Sequence, residues 1–540
     1  MEQDGILDAE AYCYWDLTFL QQARLLYPTM WSQLEPTAPH VAYLTLSTFL
    51  IIYALFSLFI RNVLHLSEPP CKCYDCVEPF SNTVKKHPLP TNKRSPANFQ
   101  PVAVLYGIIL GPNVLDIITP RSWGMNDEIL QEVTRIIVGV QCFAVGIELP
   151  KHYFRRHWSS VLYFLGPIMA FSWAITALFA YFIFQTTLPT ALIIGAGLAP
   201  TDPVLAASVL SKSRFSQRVP PRLKHLLSAE SACNDGISFP FLFVGLCALK
   251  YPSTGEAIKE WILITVLWQC VFGITLGLII GNCANRLLRF SDQRGYITRP
   301  SFVVFYLLLA ILSVGIGSIL GSDDFLVAFG AGVGFAHDGW FAKKTKELPF
   351  PTIVDLILNS TMFVFFGSII PWKEFIPSHL TPNCGIWQLS LFLILVLLFR
   401  RIPIVLVMKR VIPDIKTYRE ALFCGHFGPM GVGALFLAME ARGELEPGNG
   451  VPSLLLKDEH PLGDKEKAIY LVWPVICFVV LGSTIVHGLS TVAISLGGSI
   501  SRNRGERAPL LGQETDGLEH MDHEAGDGES EPDVSGTDED

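Results

Sequence analysis

Between residues 41 and 496 the chain alternates long apolar runs with short polar stretches. A helix that crosses a bilayer needs ~20 predominantly apolar residues. Runs of about that kind occupy 41–60, 101–118, 130–149, 160–184, 188–210, 225–249, 261–285, 301–320, 324–338, 352–370, 387–408, 420–440 and 468–496. The pattern predicts an all-α polytopic membrane protein with about 13 transmembrane helices. The run at 324–338 is short and is expected to form a tight hairpin with 301–320 through Gly321 and Ser322.

An odd number of spans puts the termini on opposite sides of the membrane, and the basic residues test the count. With the N-terminus outside, the segments that become cytoplasmic hold 28 Lys/Arg and the remaining loops hold 9. Cytoplasmic loops carry such an excess, and a miscounted span would scramble it. The loop 211–224 alone contains Lys212, Arg214, Arg218, Arg222 and Lys224 with no acid. The remaining three, Arg135, Arg400 and Arg401, lie inside spans.

Composition agrees. Half of the residues are apolar and only 16% are charged, against ~25% in soluble chains, which excludes water-soluble enzymes. The net charge of −8 comes from the tail: residues 514–540 hold twelve Asp/Glu and no Lys/Arg, which leaves the body at about +4. No basic stripe points to nucleic acid, and no cofactor motif is present. The chain divides into an N-terminal extracellular segment (1–40), a transmembrane domain (41–496) and a disordered acidic cytoplasmic tail (497–540). Residues 1–29 are polar, lack a signal-peptide pattern and read as an extension. A Pro-, Lys- and Cys-rich cytoplasmic loop covers 63–98. Its Cys71, Cys73 and Cys76 lack a fourth ligand at zinc spacing, so a reduced thiol cluster or a lipidated juxtamembrane site is favoured over a metal. Glu506 before Leu510-Leu511 has the spacing of an acidic dileucine sorting signal.

Two spans carry helix breakers. Span five reads GAGLAPTDPVLA from Gly195 to Ala206, and span twelve reads GHFGPMGVG from Gly425 to Gly433. Each Pro removes a backbone donor and clashes with the preceding turn. Unwound backbone at membrane depth survives only where protein or a wet cavity covers it. The two spans occupy the same place in two six-span repeats and run in opposite directions. Inverted repeats with crossed broken helices around a midplane ion site are the expected result. The alternative is two unrelated kinked helices, but an intramembrane carboxylate at one break favours a site. Asp202 is placed to compensate positive half-helix ends, and Thr201 to offer an oxygen ligand.

A charge at the bilayer centre costs at least ~2.5–3.5 kcal/mol, yet span six reads SAESACNDG from Ser228 to Gly236. Residues four apart share a helix face, so Ser231 aligns with Asp235 and Glu230 with Asn234. Arg400 or Arg401 in span eleven needs an anion, and Glu230 is the natural partner. Asp235 is then left without a fixed counter-charge. Burial disfavours its charged form, so it can hold either a proton or a metal cation. Asp323-Asp324 opens span nine. One Asp would suffice as a helix cap, so an ion-pathway role weighs equally. Glu148, at the cytoplasmic end of span three, is a further pathway candidate. His426 and His487 read as packed residues.

These residues resemble the fungal plasma-membrane sodium/proton antiporters of the monovalent cation:proton antiporter family. The likeness rests on APTDPVLA at 199–206, LLSAESACNDG at 226–236, FAVGIELP at 143–150, DDFLV at 323–327, FRRIP at 399–403 and FGPMGVG at 427–433. It implies a dimerisation domain and a mobile core domain, with cation and proton binding by Asp235, Ser231, Thr201 and Glu148. It also implies support of the crossed helices by Asp202, Asn234, Glu230 and Arg400 or Arg401, with Asp323 and Asp324 on the ion pathway. The implied activity is alternating-access exchange of cytoplasmic Na+, also Li+ and with K+ as a further candidate, for external H+. The protein would be a homodimer in the plasma membrane, with endosomal residence as the alternative. The tail is shorter than is usual in that branch, and Met30 resembles the usual family start. Competing classes are an intramembrane aspartyl protease, whose signature Gly-Ser-Asp-Asp at 321–324 does not match, and a passive cation channel or sensor.

Overall fold

The computed structural model describes residues 48, 100–121, 123, 127–150, 153–202, 219–297, 299–345, 350–378, 381–445 and 463–502. The expectations for the first span, the Cys71–Cys76 loop, the second half of span five and the dileucine lie outside the described residues.

All regular secondary structure among the described residues is helical. In chain order the helices are α1 (Gln100–Leu110), α2 (Asp127–Glu148), α3 (Tyr153–Phe184), α4 (Leu188–Gly197) and α5 (Pro221–Lys250). They continue with α6 (Thr254–Gln293), α7 (Arg299–Ile319), α8 (Asp324–Ala336), α9 (Trp340–Thr345) and α10 (Phe350–Ile369). The last are α11 (Ile386–Phe399), α12 (Ile402–Met408), α13 (Tyr418–His426), α14 (Val432–Leu445) and α15 (Asp464–Arg502). Six stretches are long and apolar enough to cross a membrane: α2, α3, α5, α6, Ile386–Met408 and Asp464–Ser490. On α6, Leu263, Leu267, Trp268, Val271 and Ile279 lie exposed. A helix apolar around its whole circumference is stable only in a core or in lipid.

Packing divides the helices into two groups. α1, α2, α7, α8 and α10 pack on one another, and α3, α4, α5 and α11 to α15 form the second group. α6 bridges them, its first half against α5 and its second against α8. The seam between the groups runs where α5 and α14 face α2 and α8, and where α15 meets α1.

The turn between α7 and α8 forms at Gly321, whose φ of +61° needs glycine. Asp323 caps α8, accepting from the Phe325 and Leu326 amides at 3.1 and 3.0 Å. Span eleven departs from expectation. The helix foreseen as continuous over 387–408 is interrupted at Arg400–Arg401, between α11 and α12. The last bond of α11 runs from Arg400 N to Val396 O at 3.0 Å, and the first of α12 from Val405 N to Arg401 O at 3.2 Å. Pro403 explains the interruption, since it has no amide to bond the carbonyl four residues earlier and is well suited to a first helical turn.

Candidate functional site

The cluster is built on α5, which carries Glu230, Ser231, Asn234 and Asp235 on two adjoining turns, all buried. Facing it are two interrupted helices. α4 ends at Gly197, and the chain is non-helical through Asp202. α13 ends at His426, and helix resumes at Val432. The breaks touch directly: the Asp202 amide donates to Pro429 O at 2.8 Å, and the Val432 amide to Asp202 Oδ2 at 3.4 Å. Asp202 therefore sits at the start of α14, where unpaired amides gather positive potential.

Thr201 is held by Asn234 in two ways. Its amide donates to Asn234 Oδ1 at 3.2 Å, and its hydroxyl oxygen accepts from Asn234 Nδ2 at 2.8 Å. With that acceptor role filled, the Thr201 hydroxyl and the Ser231 hydroxyl share a further hydrogen bond of 2.9 Å. Two hydroxyl oxygens are thus fixed side by side, and Ser231 lies one turn from Asp235.

Asp235 itself is only 2% exposed. Among the described residues no group donates to its carboxylate and no cation pairs with it. Gly433 makes room for it, because a Cβ at that position would overlap the Asp235 carboxylate. Gly431 does the same for Asp202.

The two arginines divide their work. Arg401 forms a bidentate pair with Glu230 at 2.5 and 2.6 Å and donates from Nε to Cys424 O at 2.9 Å. Its guanidinium also lies over the Phe164 ring, 5.2 Å from the centroid. Removing one member of such a buried pair costs ~3–5 kcal/mol. Arg400 makes no such pair. It donates to the carbonyls of Leu198, Ala199 (3.3 Å) and Pro200 (3.5 Å) at the end of α4, and to Gly428 O beyond α13. It is a cation placed at two helix C-termini, where unpaired carbonyls gather negative potential. Behind the second break, the Met430 amide donates to Ser483 Oγ at 3.0 Å, and buried His487 donates from Nε2 to His426 O at 3.0 Å.

Of the residues singled out in the sequence, Thr201, Asp202, Glu230, Ser231, Asn234, Asp235, Arg400 and Arg401 come together here. Glu148 does not join them: it stands exposed at the end of α2, and its side chain has no hydrogen bond or ion pair among the described residues. Asp323 and Asp324 are both buried. Asp323 lies beside Gly236, next to Asp235 in the chain, and Asp324 pairs with Arg135 at 2.8 Å. Sequence reasoning noted Arg135 inside a span but sought no partner for it, and missed Glu440, which shares it at 3.4 Å. The demand of a buried guanidinium for carboxylates was the available signal.

A family model described as the transmembrane region of sodium/hydrogen exchangers matches residues 93–496. Na(+)/H(+) antiporter 2 of Zygosaccharomyces rouxii is 43% identical over 476 residues, covering 87% of this chain and 54% of that protein. A Na(+)/H(+) antiporter of Schizosaccharomyces pombe is 36% identical over 407 residues, covering 73% of this chain and 83% of its own length. The chain spans about half the length of the fungal relatives it matches at 40% identity or more. Among solved structures, the sodium proton antiporter MjNhaP1 from Methanocaldococcus jannaschii superposes with a TM-score of 0.55 at 21% identity, over 74% of this chain and 91% of that one. That likeness concerns the fold. The family-model match over residues 93–496 and the fungal relatives lead to one conclusion: the chain belongs to the sodium/hydrogen exchanger family.

Proposed function

We propose that the protein is a secondary transporter that exchanges Na+ for H+ across a membrane, with Asp235 as the group both ions compete for. One observation carries the reading: a carboxylate buried against two helix breaks, with no counter-charge among the described residues and two fixed hydroxyls a turn away. A dehydrated cation needs such oxygens, and a proton neutralises the same carboxylate. The empty charged site is costly to carry through the bilayer interior, so one ion must leave before the other enters. Glu230–Arg401, Asn234 and Asp202 hold the breaks in register, and Arg400 neutralises the carbonyl ends.

In this reading cytoplasmic Na+ displaces the proton from Asp235. The α3–α5 and α11–α15 group then shifts against the other group, and an external proton displaces the cation. Li+ is a second substrate in this reading, and K+ a further candidate. The bias of basic residues supports an N-terminus outside and a C-terminus in the cytosol, in the plasma membrane, with the α1, α2, α7, α8 and α10 group as the scaffold of a homodimer. The fungal relatives named above are Na+/H+ antiporters, which supports this activity over a protease or a passive pore.

Asp235→Asn tests it. The variant is expected to reach the membrane in normal amount and to lose at least ~100-fold of its pH-gradient-driven Na+ flux in vesicles, since the neutral amide can neither lose a proton nor match a cation's charge. Sodium exchange at the wild-type rate would remove Asp235 from the site.

A further inference from the structure

Among the described residues, a polar ladder crosses the seam between the two helix groups at the N-terminal end of α2. Asp127, Gln131 and Arg135 are spaced four apart and so share one face of α2. Each reaches α14. Arg442 pairs with Asp127 at 3.1 Å, Gln131 Nε2 donates to Glu440 Oε2 at 2.5 Å, and Arg135 meets the same Glu440 oxygen at 3.4 Å. Arg135 is anchored on its own side of the seam by Asp324 at 2.8 Å, which also accepts from Ser318 at 3.1 Å.

An aromatic layer lies between this ladder and Asp235. The Arg135 guanidinium sits 5.1 Å from the centroid of Phe436 on α14. Phe436 meets Phe325 of α8 edge-on at 4.8 Å, and both approach Phe239, at 6.2 and 6.1 Å, one turn beyond Asp235 on α5. Three rings from three helices on both sides of the seam thus cover the site from the ladder end. At the opposite end of α2, Glu148 is exposed.

We infer that Arg135, Gln131 and Glu440, with Asp127 and Arg442 above them, form an outer latch that must part for the site to open towards the outside. The inference rests on the exchange reading of the same site and adds which contacts set the balance between its two openings. None of these residues binds the transported ion; they act by position. Weakening the latch raises the share of molecules open to the outside. Because apparent affinity scales with the populated competent fraction, external Na+ should then bind better and internal Na+ no better.

The test is Na+ exchange measured in oriented vesicles with Na+ presented on either side, for wild type, Glu440→Gln, Arg135→Gln, Asp127→Arg, Arg442→Asp and the Asp127→Arg/Arg442→Asp pair. Each single change is expected to lower the external KM about three- to tenfold while the internal KM stays or rises up to about twofold. The paired reversal should return the ratio of the two KM values to that of wild type. The outer rung is partly exposed, so its variants carry the test even if the Arg135 or Glu440 variants fail to reach the membrane. An unchanged ratio, or both KM values rising together, overturns the latch. Absence of Na+ exchange by the wild type would instead overturn the exchange reading itself.

Discussion

Gly433 is where a single atom decides whether the site exists. Its missing Cβ leaves the space that the Asp235 carboxylate fills, and Gly431 does the same beside Asp202. Gly433→Ala should therefore fold, since the position is helical and alanine favours helix by ~1 kcal/mol over glycine. It should nonetheless raise the KM for Na+ by about tenfold or more, because the carboxylate must move away from its neighbours; flux at graded Na+ concentrations measures this. An unaltered KM would mean the carboxylate has room to spare. At this scale much was legible. The Glu-Ser-x-x-Asn-Asp spacing alone puts Ser231 with Asp235 and Glu230 with Asn234. The choice between Arg400 and Arg401 was not, because both stand before Pro403 and only the direction of the bend separates them.

The element scale explains that bend. Two breaks were foreseen from Pro and Gly, and the one in span twelve lies where the sequence put it. The third, at Arg400–Arg401, was overlooked because the apolar run before it looks uninterrupted and a lone Pro is common in membrane helices. Its effect is to bring Arg400 to the carbonyls of Leu198, Ala199, Pro200 and Gly428. Arg400→Gln should lower the melting temperature of the purified protein, since hydrogen bonds to a charged group contribute ~1.5–3 kcal/mol. Arg400→Lys should recover part of the loss by keeping the charge, though not the fork that spans both breaks. If lysine proves no better than glutamine, charge at the helix ends is not what counts.

Across the whole molecule, the two helix groups meet along one seam, and the contacts that tie α2 to α14 join residues about 300 positions apart. No local pattern announces such pairs, which is why Glu440 escaped notice. On the proposed competition at one carboxylate, exchange is expected to show a bell-shaped dependence on pH. Acid keeps Asp235 protonated and blocks the cation, and alkali starves the return step of protons. Raising Na+ tenfold should move the acid limb of the rate profile down by about one pH unit, as linked binding of two exclusive ligands requires. An acid limb that ignores Na+ concentration would place the two ions on separate groups.

The bend at residues 400 and 401 has a last implication for how far this protein can be altered. Two neighbouring guanidinium groups leave it, one serving a carboxylate on α5 and the other the frayed ends of two half-helices. Inserting or deleting one residue there would rotate the helix that follows by about 100° and draw at least one of the two cations away from its partners. The length of that two-residue step should therefore matter as much as the presence of either arginine.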